Sequence, residues 1–99
     1  MWGAAAQNRP EVVKILLANG ADPNVATTRG ETPLHEAAIH SETAPAAEQV
    51  KAVEIATMLL ENGANVNAET TDRITPLKYA RVNHQDKMVD LLQQHGGHE

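Results

Sequence analysis

Apolar residues recur in pairs four positions apart at three places along the chain: Val12-Val13 with Leu16-Leu17, Ile55-Ala56 with Leu59-Leu60, and Met88-Val89 with Leu92-Gln93. Because a helix turns once in 3.6 residues, positions i and i+4 share a face, and each run predicts an amphipathic helix whose stripe is core. Each run stops at a glycine followed by a small residue, Gly20-Ala21, Gly63-Ala64 and Gly96-Gly97. A glycine able to take positive φ is expected there as the C-terminal cap, with Asn19-Gly20 and Asn62-Gly63 as matching pairs. Thr32-Pro33-Leu34 and Thr75-Pro76-Leu77 each follow the preceding glycine by 12 residues. Proline fixes φ at about −65° and has no N–H, so it suits a first helical turn, with the threonine hydroxyl as cap. A second, shorter helix is predicted from each, kept close to its neighbours by Ala37, Ala38 and Ala80, with Ala4-Ala5 as the earlier counterpart.

The unit is therefore helix, loop, helix. Its period is 33 residues from Gly63 to Gly96 and 43 from Gly20 to Gly63. The extra ten residues fall between Thr32 and Gly63 and are read as an insertion from residue 41 to about 50. Within it, Ala44-Pro45-Ala46-Ala47-Glu48 reads as a helix start, with Pro45 early, Thr43 or Ala44 as cap, and Glu48 near the positive end of the dipole. The following helix is expected to be longer by one or two turns, with Val50, Val53 and Leu60 continuing its apolar face.

A 33-residue period with Thr-Pro-Leu-His-Glu-Ala at 32–37 matches the ankyrin pattern, and residues 12–17, 19–24 and 59–67 extend the match. The chain resembles an ankyrin-repeat array. The resemblance implies an all-α solenoid of helix-turn-helix units carrying β-turn fingers, in one domain over residues 1–99. The expected divisions are a truncated first repeat at 1–26, a middle repeat with the ten-residue insertion at 27–69, and a C-terminal capping repeat at 70–99. Three departures stand out: the first repeat lacks Thr-Pro-Leu, Lys78 replaces His35, and Arg73 replaces Gly30.

The two ends differ in chemistry. Gln93 stands where Leu17 and Leu60 stand, and Arg81 where Ala5 and Ala38 stand. A terminal repeat needs polar groups on its uncovered face, so both read as capping. Met1, Trp2 and the alanines at 4–6 have no polar cap before them. This edge is expected to be open, the boundary of a piece of a longer array or of one worn down to about two and a half repeats. Self-association through Met1, Trp2 and their neighbours is the expected consequence.

At 99 residues the chain makes one small domain, near the lower limit for a core without staples. It has no cysteine, which excludes disulfides and thiolate metal sites. No apolar run approaches the roughly 18 residues of a membrane span, and no signal-type apolar stretch opens the chain. Cytoplasm is the default compartment. Thirteen acidic residues against eight scattered basic ones give a net charge of −5, which opposes a phosphate backbone. Trp2 and Tyr79 are the sole aromatics, so stacking platforms for bases are missing as well.

Candidate chemistry is sparse. Ser41 is the single serine, and in His40-Ser41-Glu42 adjacent residues cannot form a triad relay, so a surface turn is the better reading. His95, His98 and Glu99 offer two imidazoles and a carboxylate, but two intervening glycines match no zinc spacing and a frayed tail is expected. There is no phosphate-cradling glycine loop, and neither a cofactor nor a metal is expected.

By resemblance, His35 is structural, bonded near its turn. Asn24 and Asn67 occupy the finger position that some ankyrin repeats present to an asparagine hydroxylase, although local turn hydrogen bonding suffices to explain them. The function implied is non-catalytic binding of a partner protein by the concave face of fingers and first helices. Candidate contacts are Thr28, Arg29 and Glu31 on the first finger, Ile39 and His40 on the middle repeat's first helix, Thr71, Asp72 and Ile74 on the second finger, and Val82 and Asn83 after it. Ile39, Ile74 and Val82 are apolar where solvent is expected, which marks an interface patch. The alternative is a structural element that stacks on further repeats or on a second copy through the open edge.

Overall fold

The computed structural model describes residues 9–38 and 46–98. Among these lie five helices and no strand: α1 (Pro10–Ala18), α2 (Pro33–Ala38), α3 (Ala46–Glu61), α4 (Pro76–Val82) and α5 (Asp86–Gln94). The helices form two rows. α3 packs between α1 and α5 in the outer row, α2 packs on α4 in the inner row, and α2–α3 and α4–α5 contacts join the rows.

The predicted punctuation works at atomic level. Both inner helices begin at the proline of Thr-Pro-Leu, and the Thr75 hydroxyl accepts the Lys78 N–H at 3.3 Å. The outer helices share one terminator. After α3, Gly63 N–H donates to the Leu60 carbonyl at 3.2 Å and Ala64 N–H to Leu59 at 2.9 Å. This double bond pattern needs a left-handed residue, and Gly63 supplies it at φ 91°. The same pairs close α1 at Gly20-Ala21 and α5 at Gly96-Gly97. α4 closes identically around His84, which takes φ 56° without a glycine's freedom.

Burial follows the paired stripes in α3 and α5, but in α1, where core was expected, Val12 is 40% exposed and Leu16 and Leu17 are half-buried. Val13, Ile55, Ala56, Leu59, Met88 and Leu92 are fully buried with Leu34, Ala37, Ala38, Ala52 and Ala80, and Leu77 completes the core. Each fully buried Leu or Ile is worth roughly 1.5–3 kcal/mol. Ala37, Ala38 and Ala80, the small residues expected on the short helices, are all fully buried.

α3 has 16 residues against nine in α1 and nine in α5. Val53 and Leu60 pack against the core, whereas Val50 is 53% exposed. Val50 thus departs from the expected apolar face. It precedes Ala52, which is fully buried, and Val53, which is half-buried. Met1, Trp2, the early alanines and, with Pro45, the first half of the expected insertion, residues 41–45, lie outside the described residues.

Candidate partner-binding face

Two turns project from the helix layers and share one construction. In the first, Thr27 N–H donates to the Glu31 carbonyl at 2.9 Å and Gly30 N–H to the Thr27 carbonyl at 2.9 Å. The Thr27 hydroxyl accepts from Arg29 N–H and Glu31 N–H at 3.2 and 3.3 Å. In the second, Thr70 plays the same part: its hydroxyl accepts from Asp72 N–H and Ile74 N–H, both at 3.2 Å. A threonine oxygen inside each turn replaces the water its backbone would otherwise need. The fingers are then joined by Thr71 N–H donating to the Arg29 carbonyl at 2.9 Å.

Thr28, Arg29, Thr71 and Asp72 are exposed at the two tips, and Glu31 and Ile74 are half-buried. Val82, at the end of α4, is 65% exposed, and half-buried Asn83 donates its amide to the Tyr79 carbonyl at 2.8 Å. A cleft of about 90 Å³ brings together Arg29, Glu31, Thr71 and Asp72 and adds Thr70 and Tyr79. Ile74, Val82 and Asn83 do not line it. Ile39 and His40 lie outside the described residues. All six residues of α2 are buried, so among the described residues the exposed part of this face comes from the fingers and α4.

Sequence reasoning passed over Tyr79 and Thr70. Tyr79 is half-buried, and its ring meets His35 edge-on with centroids 5.5 Å apart. Burial pushes the phenol pKa above its ordinary value, with Glu31, Glu36 and Asp72 adding to the rise and Arg29 opposing it. The repeated Thr-Thr at 27–28 and 70–71 was the signal available for Thr70. For Tyr79 there was none beyond its scarcity.

His35 is fully buried. Thr32 N–H donates to its Nδ1 at 3.1 Å, so Nδ1 is unprotonated and Nε2–H donates to the Ile74 carbonyl at 2.7 Å. The expectation of a structural His35 holds, with the bond reaching into the next finger. Lys78, its counterpart 43 residues on, is exposed, and no finger follows it among the described residues.

Asn24 and Asn67 act differently from expectation. Asn24 donates to the Gly63 carbonyl at 3.0 Å and accepts the Asn65 N–H at 2.7 Å. Asn67 donates to the Gly96 carbonyl at 3.2 Å and accepts the His98 N–H at 3.0 Å. The local turn bonds are made instead by Asp22 and Asn65, each accepting the N–H two residues on. The asparagines are staples between repeats, because a side-chain amide can donate and accept at once where a carboxylate cannot. The bond to His98 also ties the expected frayed tail down through that residue. Among the described residues, no group of three ligating side chains is placed to hold a metal.

The repeated helix pairs, fingers and terminators agree with a profile match: the family model for ankyrin repeats in three copies spans residues 1–99, and the chain belongs to the ankyrin-repeat family. Ankyrin repeats are generally protein-interaction modules and generally not enzymes. Among curated proteins, none matches the chain at a significant level. None of the described helices is long and apolar enough to cross a membrane.

Proposed function

We propose that this chain is a non-catalytic recognition module that binds a partner protein through its finger tips and α4. The observation that carries the reading is the cleft in which Arg29, Glu31, Thr71 and Asp72 converge on Tyr79. The other contact residues expected from the sequence, Thr28, Ile39, His40, Ile74, Val82 and Asn83, complete the proposed set. Tyrosine and arginine are enriched at interface centres, and the acidic groups beside them have the character of an interface rim. Val82 adds an apolar contact at the far end of α4. We take the repeats to divide at 1–26, 27–69 and 70–99, the ten extra residues of the middle repeat being an elaboration of it. The test is affinity capture with the wild-type chain and with Arg29→Glu/Val82→Glu as baits. The wild type should retain a protein that the variant loses, with unfolding midpoints within the roughly 0.5 kcal/mol typical of surface changes. Equal retention by both baits contradicts the reading.

A second reading, association through the open N-terminal edge, is favoured by one comparison. Val12 is 40% exposed, whereas its counterparts Ile55 and Met88 are fully buried.

A further inference from the structure

Asn19-Gly20 and Asn62-Gly63 are the chain's two Asn-Gly pairs, and both fall just past the end of an outer helix. Such a pair carries its own reaction. The glycine nitrogen, with no Cβ beside it, can attack the preceding Asn Cγ. A C–N bond forms, the side-chain nitrogen leaves as ammonia with the proton that the glycine nitrogen gives up, and a five-membered succinimide results. Water then opens either imide carbonyl, to aspartate or to isoaspartate. No other reactant is needed.

At Asn62 the fold holds this reaction off in three ways. Asn62 Nδ2 donates to the Met58 carbonyl at 2.8 Å, which turns the carboxamide back along α3. The attacking nitrogen is itself engaged, Gly63 N–H donating to the Leu60 carbonyl at 3.2 Å. Backbone torsion completes the block. Asn19 and His95, which close α1 and α5 at ψ 16°, donate their N–H to the carbonyls three and four residues back, as Asn62 does. At that ψ the next nitrogen lies across the Cα–C bond from Cβ, whereas ring closure needs the two eclipsed.

Gly63 is also pinned from the neighbouring repeat. Asn24 donates to its carbonyl at 3.0 Å and accepts the Asn65 N–H at 2.7 Å, so Gly63 cannot swing towards Asn62 Cγ without releasing the first of these bonds. Asn62 and Gly63 are both exposed, which gives water access to the ring once it forms. We propose that Asn62 is a deamidation site that Asn24 holds closed, and that its reaction loosens the contact fastening the loop after α1 to the end of α3. Opening of this helix end, a local event, sets the rate. Aspartate at 62 has no donor for the Met58 carbonyl and sets a negative charge at the negative end of α3. Isoaspartate lengthens the main chain by one methylene ahead of Gly63 and displaces the carbonyl that Asn24 holds. Loss of ammonia makes either change one-way.

Peptide mapping by mass spectrometry of the 99-residue chain, aged at mildly alkaline pH, tests this, since both products carry an acid in place of an amide and isoaspartate elutes apart from aspartate. Asn62 should react far more slowly in the folded wild type than in the same chain in denaturant. Asn24→Ala should raise the folded-state rate at Asn62 by about 5- to 30-fold, the factor that matches the loss of two neutral hydrogen bonds. Asn24→Asp keeps the acceptor for Asn65 N–H and loses the donor to Gly63, so its rate should fall between; if Asn24→Ala does not fold, this variant decides. Asn67→Ala removes the equivalent bonds to Gly96 and His98 and should leave the rate at Asn62 nearly unchanged. Deamidated chain, separated by anion exchange, should exchange its α1 amides faster than fresh chain. Equal rates at Asn62 in folded and denatured chain overturn the inference, as does a rate that neither Asn24 variant changes. Acceleration by Asn67→Ala as large as that by Asn24→Ala overturns the part given to Asn24. Deamidated chain whose α1 exchanges as before overturns the loosening.

Discussion

His35 Nε2 lies 2.7 Å from the carbonyl oxygen of Ile74, 39 residues further along the chain. One imidazole thereby closes its own helix start, through Thr32, and fastens the next finger. Burial lowers its pKa below the ordinary 6.5, although the Ile74 bond and Glu31 pull the other way. The unfolded chain therefore takes up this proton at a higher pH than the folded one. The stabilisation is complete above 6.5 and is lost as pH falls through the depressed folded value. Denaturant titrations at pH 7.5 and at successively lower pH should show the wild type losing stability on acidification. His35→Leu should be less stable by about 1–3 kcal/mol at neutral pH, because the Ile74 carbonyl and Thr32 N–H lose their partner. The difference between the two proteins should shrink towards acid. A constant difference would mean that His35 does not titrate with folding.

Gly30 and Arg73 occupy the same place in successive fingers and both take positive φ, 80° and 61°. What differs is the neighbour. A Cβ on Gly30 would sit 3.1 Å from Thr70 Cα and 3.2 Å from the Glu69 carbonyl oxygen, in the backbone of the next finger. Gly30→Ala should cost more than about 1 kcal/mol, from left-handed strain and that backbone contact together. Arg73→Gly should instead stabilise by about 0.5–1 kcal/mol, relief of strain exceeding the added chain entropy. Thermal unfolding of the two variants checks the opposite signs. Equal destabilisation would show that the finger tolerates no change at this position for some reason other than φ.

Asn24 fastens α1 and its loop to the terminator of α3 by two bonds, at 3.0 and 2.7 Å. Asn24→Ala should cost about 1–2 kcal/mol in total, each neutral bond being worth about 1 kcal/mol. The loss should be local. Native-state hydrogen exchange should speed up across α1 well before α3, since repeat arrays unravel by neighbouring units. Uniform acceleration would show that α1 does not open separately.

Much of the architecture was legible because its signals are local. The proline of Thr-Pro-Leu starts α2 and α4, and a glycine two residues past the last helical position ends α1, α3 and α5. Contacts set by how one repeat lies on the next were not legible. Asn24 and Asn67 looked like turn residues, since nothing in their immediate neighbours shows the carbonyl 39 or 29 residues away. Lys78 in place of His35 looked like tolerance of variation; geometrically, no finger lies beyond it among the described residues to receive the bond. Of the candidate contacts, the fingertip residues converge on one cleft because Thr71 and Arg29 are bonded through their backbones. Tyr79 joins them from α4, a place no local signal marks, and Val50 is exposed although its spacing matches the apolar face.

The fingers and α4 are the proposed recognition surface. Hydrogen exchange of the chain alone and with the protein it captures tests this most directly. Protection should rise at residues 28–31, 71–74 and 79–83 and stay unchanged along α1 and α3. Protection confined to the outer helices, with the fingers exchanging as they do in the free chain, would contradict it.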